Sequence, residues 1–133
     1  MRTDPSCRAV AIEPRADRRE RIERNAVALG VPGLQVVAGA APAALQGLPA
    51  PDAVFVGGGV SVPGVLQACL EALGPGGRLV ANGVTLDTEA VLAHRHATLG
   101  GTLTRIAVER AEPIGSFTGW TPARTVTQWA FTR

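Results

Sequence analysis

The chain has 133 residues and a mass of 13.7 kDa, one domain's worth of polymer. Hydrophobic residues make up 46%, charged residues 18% and aromatics 4%, which excludes a disordered tail, a collagen-like repeat and a disulfide-built miniprotein. The formal net charge of +2 is too small to point to nucleic acid; every basic residue is Arg, with no Lys, a mark of codon usage before function.

Short apolar runs alternate with amphipathic stretches along the whole chain. Arg8–Glu13 is partly β-branched and ends in an acid, the pattern of a strand. Arg15–Leu29 is predicted as a helix, with Ile22, Ala26 and Leu29 on one face and Gly30 as its stop. Asp17/Arg21 and Glu20/Arg24 form acid-first pairs at i,i+4 on its exposed side, so the charge run there reads as a solvated face. Leu34–Ala38 is a second strand and Ala41–Gln46 a short helical turn. Ala53–Val56 is continuously apolar, as expected of a strand covered on both faces. Val62–Leu73 is predicted as a helix with Pro63 near its first position and a buried stripe of Val62, Leu66, Cys69, Leu70 and Leu73. Arg78–Ala81 and Asp87–Leu99 are the next strand and helix, and Gly100-Gly101 ends the latter. Thr102–Arg110 and Thr125–Thr132 both alternate, and are expected to pair antiparallel at a sheet edge across the long connection Ala111–Arg124. The whole is an α/β chain with a mainly parallel sheet and an antiparallel end.

Cys7 and Cys69 stand far apart, so both are expected to be buried small residues and not a metal pair. His94 and His96, two apart in a helix, face different sides and read as surface residues. No apolar run is long enough to cross a bilayer, and the opening MRTDPSCR has no apolar signal-peptide core, so a soluble cytoplasmic protein is expected, with no membrane partner.

In a doubly wound sheet, ligands sit outside the carboxyl ends of the strands. Glu13 ends the first strand, where a carboxylate can accept both hydroxyls of a ribose or simply face solvent. Gly39-Ala40-Ala41-Pro42 ends the second, where small residues let a flat ring approach, or only make a turn. Gly57, Gly58 and Gly59 follow the third and lower the wall for a bulky ligand. Asn82, ending the fourth and followed by Val84-Thr85, could hydrogen-bond a substrate or merely accept a left-handed turn beside Gly83. The Ala111–Arg124 loop offers Phe117, Trp120 and Arg124. No Ser/His/Asp or Cys/His arrangement is visible and no paired carboxylates fall at strand ends, so chemistry would rest on a cofactor and on positioning.

AVAIEPRADRRERIERNAVALGV, VVAGAAPAALQGLPAPDAVFVGGG, GGRLVANGVTLDTE and GSFTGWTPARTVTQW together resemble the decarboxylating precorrin-6Y methyltransferases, specifically their carbon-15 methylating domain. The resemblance covers nearly the whole chain; its most specific parts are AP-x-AL, DAVFVGGG and the GSFTGW…TQW ending. It implies a Rossmann-like class I methyltransferase sheet of order 3-2-1-4-5-7-6 with an antiparallel last strand. It also implies S-adenosylmethionine as cofactor, a precorrin tetrapyrrole as substrate, and a homo-oligomer, a tetramer in the family. Carried over by position, Glu13 would hold the ribose, Ala40 and Ala41 the adenine, and Gly57, Gly58 and Gly59 the cleft near the methyl group. Asn82, Thr85, Trp120 and Arg124 would face the tetrapyrrole, Arg124 taking a carboxylate through its guanidinium. The reaction implied is methyl transfer to a ring carbon with loss of carbon dioxide from an acetate side chain.

In that family a strand, a Gly-rich loop and a helix precede the segment matching Cys7–Glu13, so the chain is expected to lack the first strand and helix. Arg8–Glu13 and Ala53–Val56 would then flank a gap, and would either pair directly or leave the chain poorly folded. The alternatives are a non-catalytic remnant or assembly fragment of a Rossmann-like domain, and half of a nicotinamide-dependent dehydrogenase. The GSFTGWTPARTVTQW ending argues against the dehydrogenase.

Overall fold

The computed structural model describes residues 1 and 3–133 and divides into two units, Met1–Leu48 and Pro49–Arg133. In the first unit, β1 (Val10–Glu13) and β2 (Gln35–Ala38) pair in parallel, Glu13 opposite Ala38, with α1 (Ala16–Ala28) between them in sequence and packed on both. A single 3-10 turn, Ala43–Leu45, follows β2. Along α1, Ala26 is buried and Ile22 half-buried, while Leu29, expected on the same face, is exposed just past the helix end. The end is closed by Gly30 N–H donating to Val27 O at 3.0 Å and Val31 N–H to Ala26 O at 2.8 Å, which satisfies two orphan carbonyls. Glu20 and Arg24 pair at 3.8 Å as expected, but Asp17 turns the other way, to Arg15 at 2.9 Å, and not to Arg21. The Arg15 hydrogen bonds hold the Asp17 carboxyl below its usual range.

The second unit holds β3 (Ala53–Val56), α2 (Val65–Ala72), β4 (Arg78–Gly83), α3 (Leu86–Leu99), β5 (Thr102–Ile106), β6 (Glu109–Ile114), β7 (Phe117–Pro122) and β8 (Val126–Thr132). Its main sheet has the order β3-β4-β8-β5, with β3 and β4 parallel and β8 antiparallel to both its neighbours. Alternation divides the sheet into two faces. Leu79 and Ala81 of β4 and Trp129 of β8 are fully buried on the face that meets α3, whose Leu92 is buried with them. Trp129 stacks on Phe131 with ring centroids 5.5 Å apart and donates its Nε1 proton to Gly100 O at 2.9 Å. Phe55, from β3, lies on the opposite face beside Val80 and is 66% exposed, so β3 is not covered on both faces within this unit.

Four expectations are corrected. The β5–β8 pair is antiparallel as read, but of the two only β5 is an edge strand and β8 is central. The connection Ala111–Arg124 is not a loop: most of it is the two-stranded β6–β7 ribbon, with Ile114 opposite Phe117 across the turn. The helix expected from Val62 begins only at Val65, because Gly64 takes the left-handed conformation (φ 82°) at the N-cap, and Val62 is left exposed. Cys7 is exposed, whereas Cys69 is buried and burial pushes its thiol up. The native protein is therefore expected to release colour from a thiol reagent in two phases, Cys7 at once and Cys69 only on unfolding. Equal rates for C7S and C69S variants would contradict this.

Among the described residues, β1 and β3 are assigned to separate sheets, β1 with β2 and β3 with β4. Among the described residues, no helix is long and apolar enough to cross a membrane.

Candidate functional site

The carboxyl ends of β1 and β2 form one rim in the first unit. Glu13 is the last residue of β1, and its side chain is only 16% exposed. Its Oε1 accepts the Arg15 backbone N–H at 2.9 Å, at the entry to α1, while its Oε2 has only Arg18 nearby, at 3.8 Å. That carboxylate is held by one oxygen with the other free of hydrogen bonds among the described residues, a geometry that suits a diol. Arg19 covers the strand's exit, donating to the Glu13 and Pro14 carbonyls at 3.1 and 2.6 Å. The Gly39 N–H reaches the Glu13 carbonyl at 3.5 Å, so Ala40 and Ala41 leave β2 on the same rim as Glu13. Ala40 is exposed and accepts the Ala44 N–H at 3.0 Å. A Cβ on Gly39 would stand 2.8 Å from the Ala44 Cβ, which explains the small residues of this turn.

A second rim lies in the second unit. Val56 is opposite Ala81, so Gly57 leaves β3 beside Asn82. The triple glycine is exposed, and around Gly58 nothing stands within 4 Å of where a side chain would start. Asn82 does not end β4, which runs on through Gly83; its Oδ1 accepts from Gln128 Nε2 at 3.1 Å across the ladder. Thr85 is the N-cap of α3, and its hydroxyl accepts the Thr88 N–H at 3.3 Å while Thr88 Oγ1 accepts the Thr85 N–H at 3.2 Å. A Cβ on Gly83 would stand 2.7 Å from the Thr88 Cβ and 3.5 Å from Leu92 Cδ1. Gly83→Ala is accordingly expected to push α3 off β4 at a cost of about 1–3 kcal/mol, read as a lower urea midpoint at unchanged slope.

Trp120 is 70% exposed on β7, and Arg124 lies exposed between the ribbon and β8 with no ion-pair partner among the described residues. The ribbon's base is tied by the Ala123 N–H to Val108 O at 2.8 Å. Thus Glu13, Ala40 and Ala41 share one rim, and Gly57–Gly59 and Asn82 share the other. His94 is exposed and His96 half-buried, and among the described residues no group of His, Cys, Asp and Glu could hold a metal ion.

One cluster escaped the sequence reading. Glu89, in the first turn of α3, pairs with Arg105 of β5 and accepts from the buried Thr127 of β8 at 2.8 Å. No spacing rule links these positions; the one hint is a Thr on the same face of β8 as Trp129.

A family model described as precorrin methyltransferase domain matches residues 1–133. The chain belongs to this family. It is 59% identical over 133 residues to a precorrin-6Y C(5,15)-methyltransferase [decarboxylating] of Sinorhizobium sp, covering 100% of itself and 32% of that relative. The chain thus spans about a third of the length of the curated relatives it matches. Among solved structures, a domain assigned to precorrin-6Y C5,15-methyltransferase from Corynebacterium diphtheriae superimposes with a TM-score of 0.92 at 41% identity, over 99% of this chain and 79% of that one. The C-terminal domain of the Rhodobacter capsulatus precorrin-6Y C5,15-methyltransferase gives 0.86 at 47% identity, over 95% and 68%. The fold of this precorrin methyltransferase domain is therefore Rossmann-like and of class I. Its β1–β2 pair reproduces the 3-2 run of the class I order, and β3-β4-β8-β5 reproduces 4-5-7-6.

Proposed function

We propose that the chain serves S-adenosylmethionine-dependent methylation of a ring carbon of a precorrin, coupled to loss of carbon dioxide from an acetate side chain. The observation that carries this reading is the family match along all of residues 1–133, with 59% identity to a relative named as decarboxylating. When bound, S-adenosylmethionine supplies a methyl group on a sulfonium, already a good leaving group.

Glu13 fits the cofactor's sugar, since its Oε2 has no hydrogen bond among the described residues and its Oε1 is fixed by the Arg15 N–H. Ala40 and Ala41 leave room on the same rim for an adenine ring. Gly57, Gly58 and Gly59 present bare backbone against which a bulky group can lie. Asn82 and Thr85 sit at the tetrapyrrole's side, Trp120 offers an aromatic face for stacking, and Arg124 offers a two-pronged donor for a carboxylate. The chain's task is alignment and exclusion of water, and the macrocycle itself can take up the electrons released by decarboxylation.

The test is incubation of the purified chain with methyl-labelled S-adenosylmethionine and a precorrin, followed by mass spectrometry. The expected product gains one labelled methyl and loses one carbon dioxide. A tetrapyrrole recovered without label overturns the reading.

A further inference from the structure

Glu89 uses its two carboxylate oxygens to hold two different strands. Oε2 accepts the Thr127 hydroxyl at 2.8 Å, and Oε1 pairs with Arg105 Nη2. Arg105 and Thr127 face each other in the β5–β8 ladder, one step before that ladder ends at Ile106 and Val126. Residues 107–125 leave the sheet between those two positions, and they contain the whole β6–β7 ribbon with Trp120 and Arg124. One carboxylate therefore fastens both legs of the excursion at the place where it departs.

The two bonds differ in kind. Thr127 is buried, and its hydroxyl's hydrogen bond in the structure goes to Glu89, so removing Glu89 costs it that partner. Arg105 is exposed, and a surface ion pair alone would be weak. With the carboxylate already fixed by Thr127 and by the first turn of α3, Arg105 has only its own freedom to lose. The helix N-terminus further favours the negative charge.

We propose that Glu89 is the positioning residue of the β6–β7 ribbon: by holding Arg105 and Thr127 together it sets the direction in which the ribbon leaves the sheet, and so where Trp120 and Arg124 meet a tetrapyrrole carboxylate. The part concerning the tetrapyrrole rests on the proposed function; the hold on the ribbon does not.

Hydrogen exchange of the full chain separates the two. In E89A, peptides covering residues 107–125 are expected to exchange about tenfold faster, while β3 and β4 are unchanged. E89Q, which keeps one acceptor oxygen, is expected to lie between E89A and the original, and it replaces E89A as the test if that variant fails to fold. Unchanged exchange over 107–125 in both variants overturns the proposal. The probe for the ligand is uroporphyrin, a polycarboxylate tetrapyrrole, followed by quenching of tryptophan fluorescence. Its affinity is expected to fall about tenfold in E89Q, while the heat of S-adenosylhomocysteine binding stays the same. Equal uroporphyrin affinity in the original and in E89Q overturns the positioning role. An original protein that never quenches overturns the tetrapyrrole reading of the ribbon, and exchange then decides the hold on its own.

Discussion

Trp129→Ala is expected to cost about 3–5 kcal/mol of unfolding free energy, the range for removing a large aromatic from a packed interior. Trp129 is 0% exposed, stacks on Phe131 and stands in the sheet between its ladder partners, Ala81 of β4 on one side and Leu103 of β5 on the other. Its indole proton also satisfies the Gly100 carbonyl at the end of α3, at 2.9 Å. One side chain thus joins the centre of the sheet to the last turn of its helix. Against a typical domain stability of about 5–15 kcal/mol, the loss leaves a marginal fold. Trp129→Phe keeps a ring and loses only the donor and some volume, so it should fall well short of the alanine variant. Urea unfolding followed by far-ultraviolet circular dichroism measures both, and an alanine variant within about 1 kcal/mol of the original would refute the assignment.

Glu13→Gln is expected to weaken S-adenosylhomocysteine binding about ten- to a hundredfold, the loss of one charge-assisted pair of hydrogen bonds to ribose hydroxyls. The amide oxygen can still accept the Arg15 N–H that Glu13 Oε1 accepts at 2.9 Å, so entry into α1 is preserved. The unfolding midpoint should therefore stay in place while the calorimetric affinity drops. If both affinity and midpoint are unchanged, Glu13 is only a cap for the strand-to-helix turn. If the midpoint falls as much as the affinity, the carboxylate supports the fold and not the sugar.

Most of the α/β order was legible because burial imposes periodicity. Ala53–Val56 matched its strand at both ends, and the alternation of Thr125–Thr132 marked β8. The β6–β7 ribbon stayed hidden for the converse reason. Its residues bury almost nothing, Phe117 being 79% exposed, and Pro113 and Pro122 interrupt the pattern. A two-stranded ribbon tolerates such prolines because each strand keeps a free edge. The available signal was Gly115-Ser116, a turn pair with Gly115 at φ 59°, standing between two short β-rich runs. At the candidate site, the strand-end rule groups Glu13 with Ala40 and Ala41, and separately Gly57–Gly59 with Asn82, because two paired parallel strands leave their sheet at the same end. It could not find Glu89, whose partners Arg105 and Thr127 lie 16 and 38 positions away and are brought together only by the β5–β8 ladder.

The placement of β8 between β4 and β5 has a consequence for synthesis on the ribosome. The strand lying at the heart of the four-stranded sheet is the last of that sheet's strands in chain order, and so is made after its two neighbours. Until Val126–Thr132 emerge from the exit tunnel, β5 has no neighbour and the edge of β4 lies open. A nascent chain halted before Val126 therefore displays two unpaired strand edges, the kind of surface that chaperones shield and neighbouring polysomes could join.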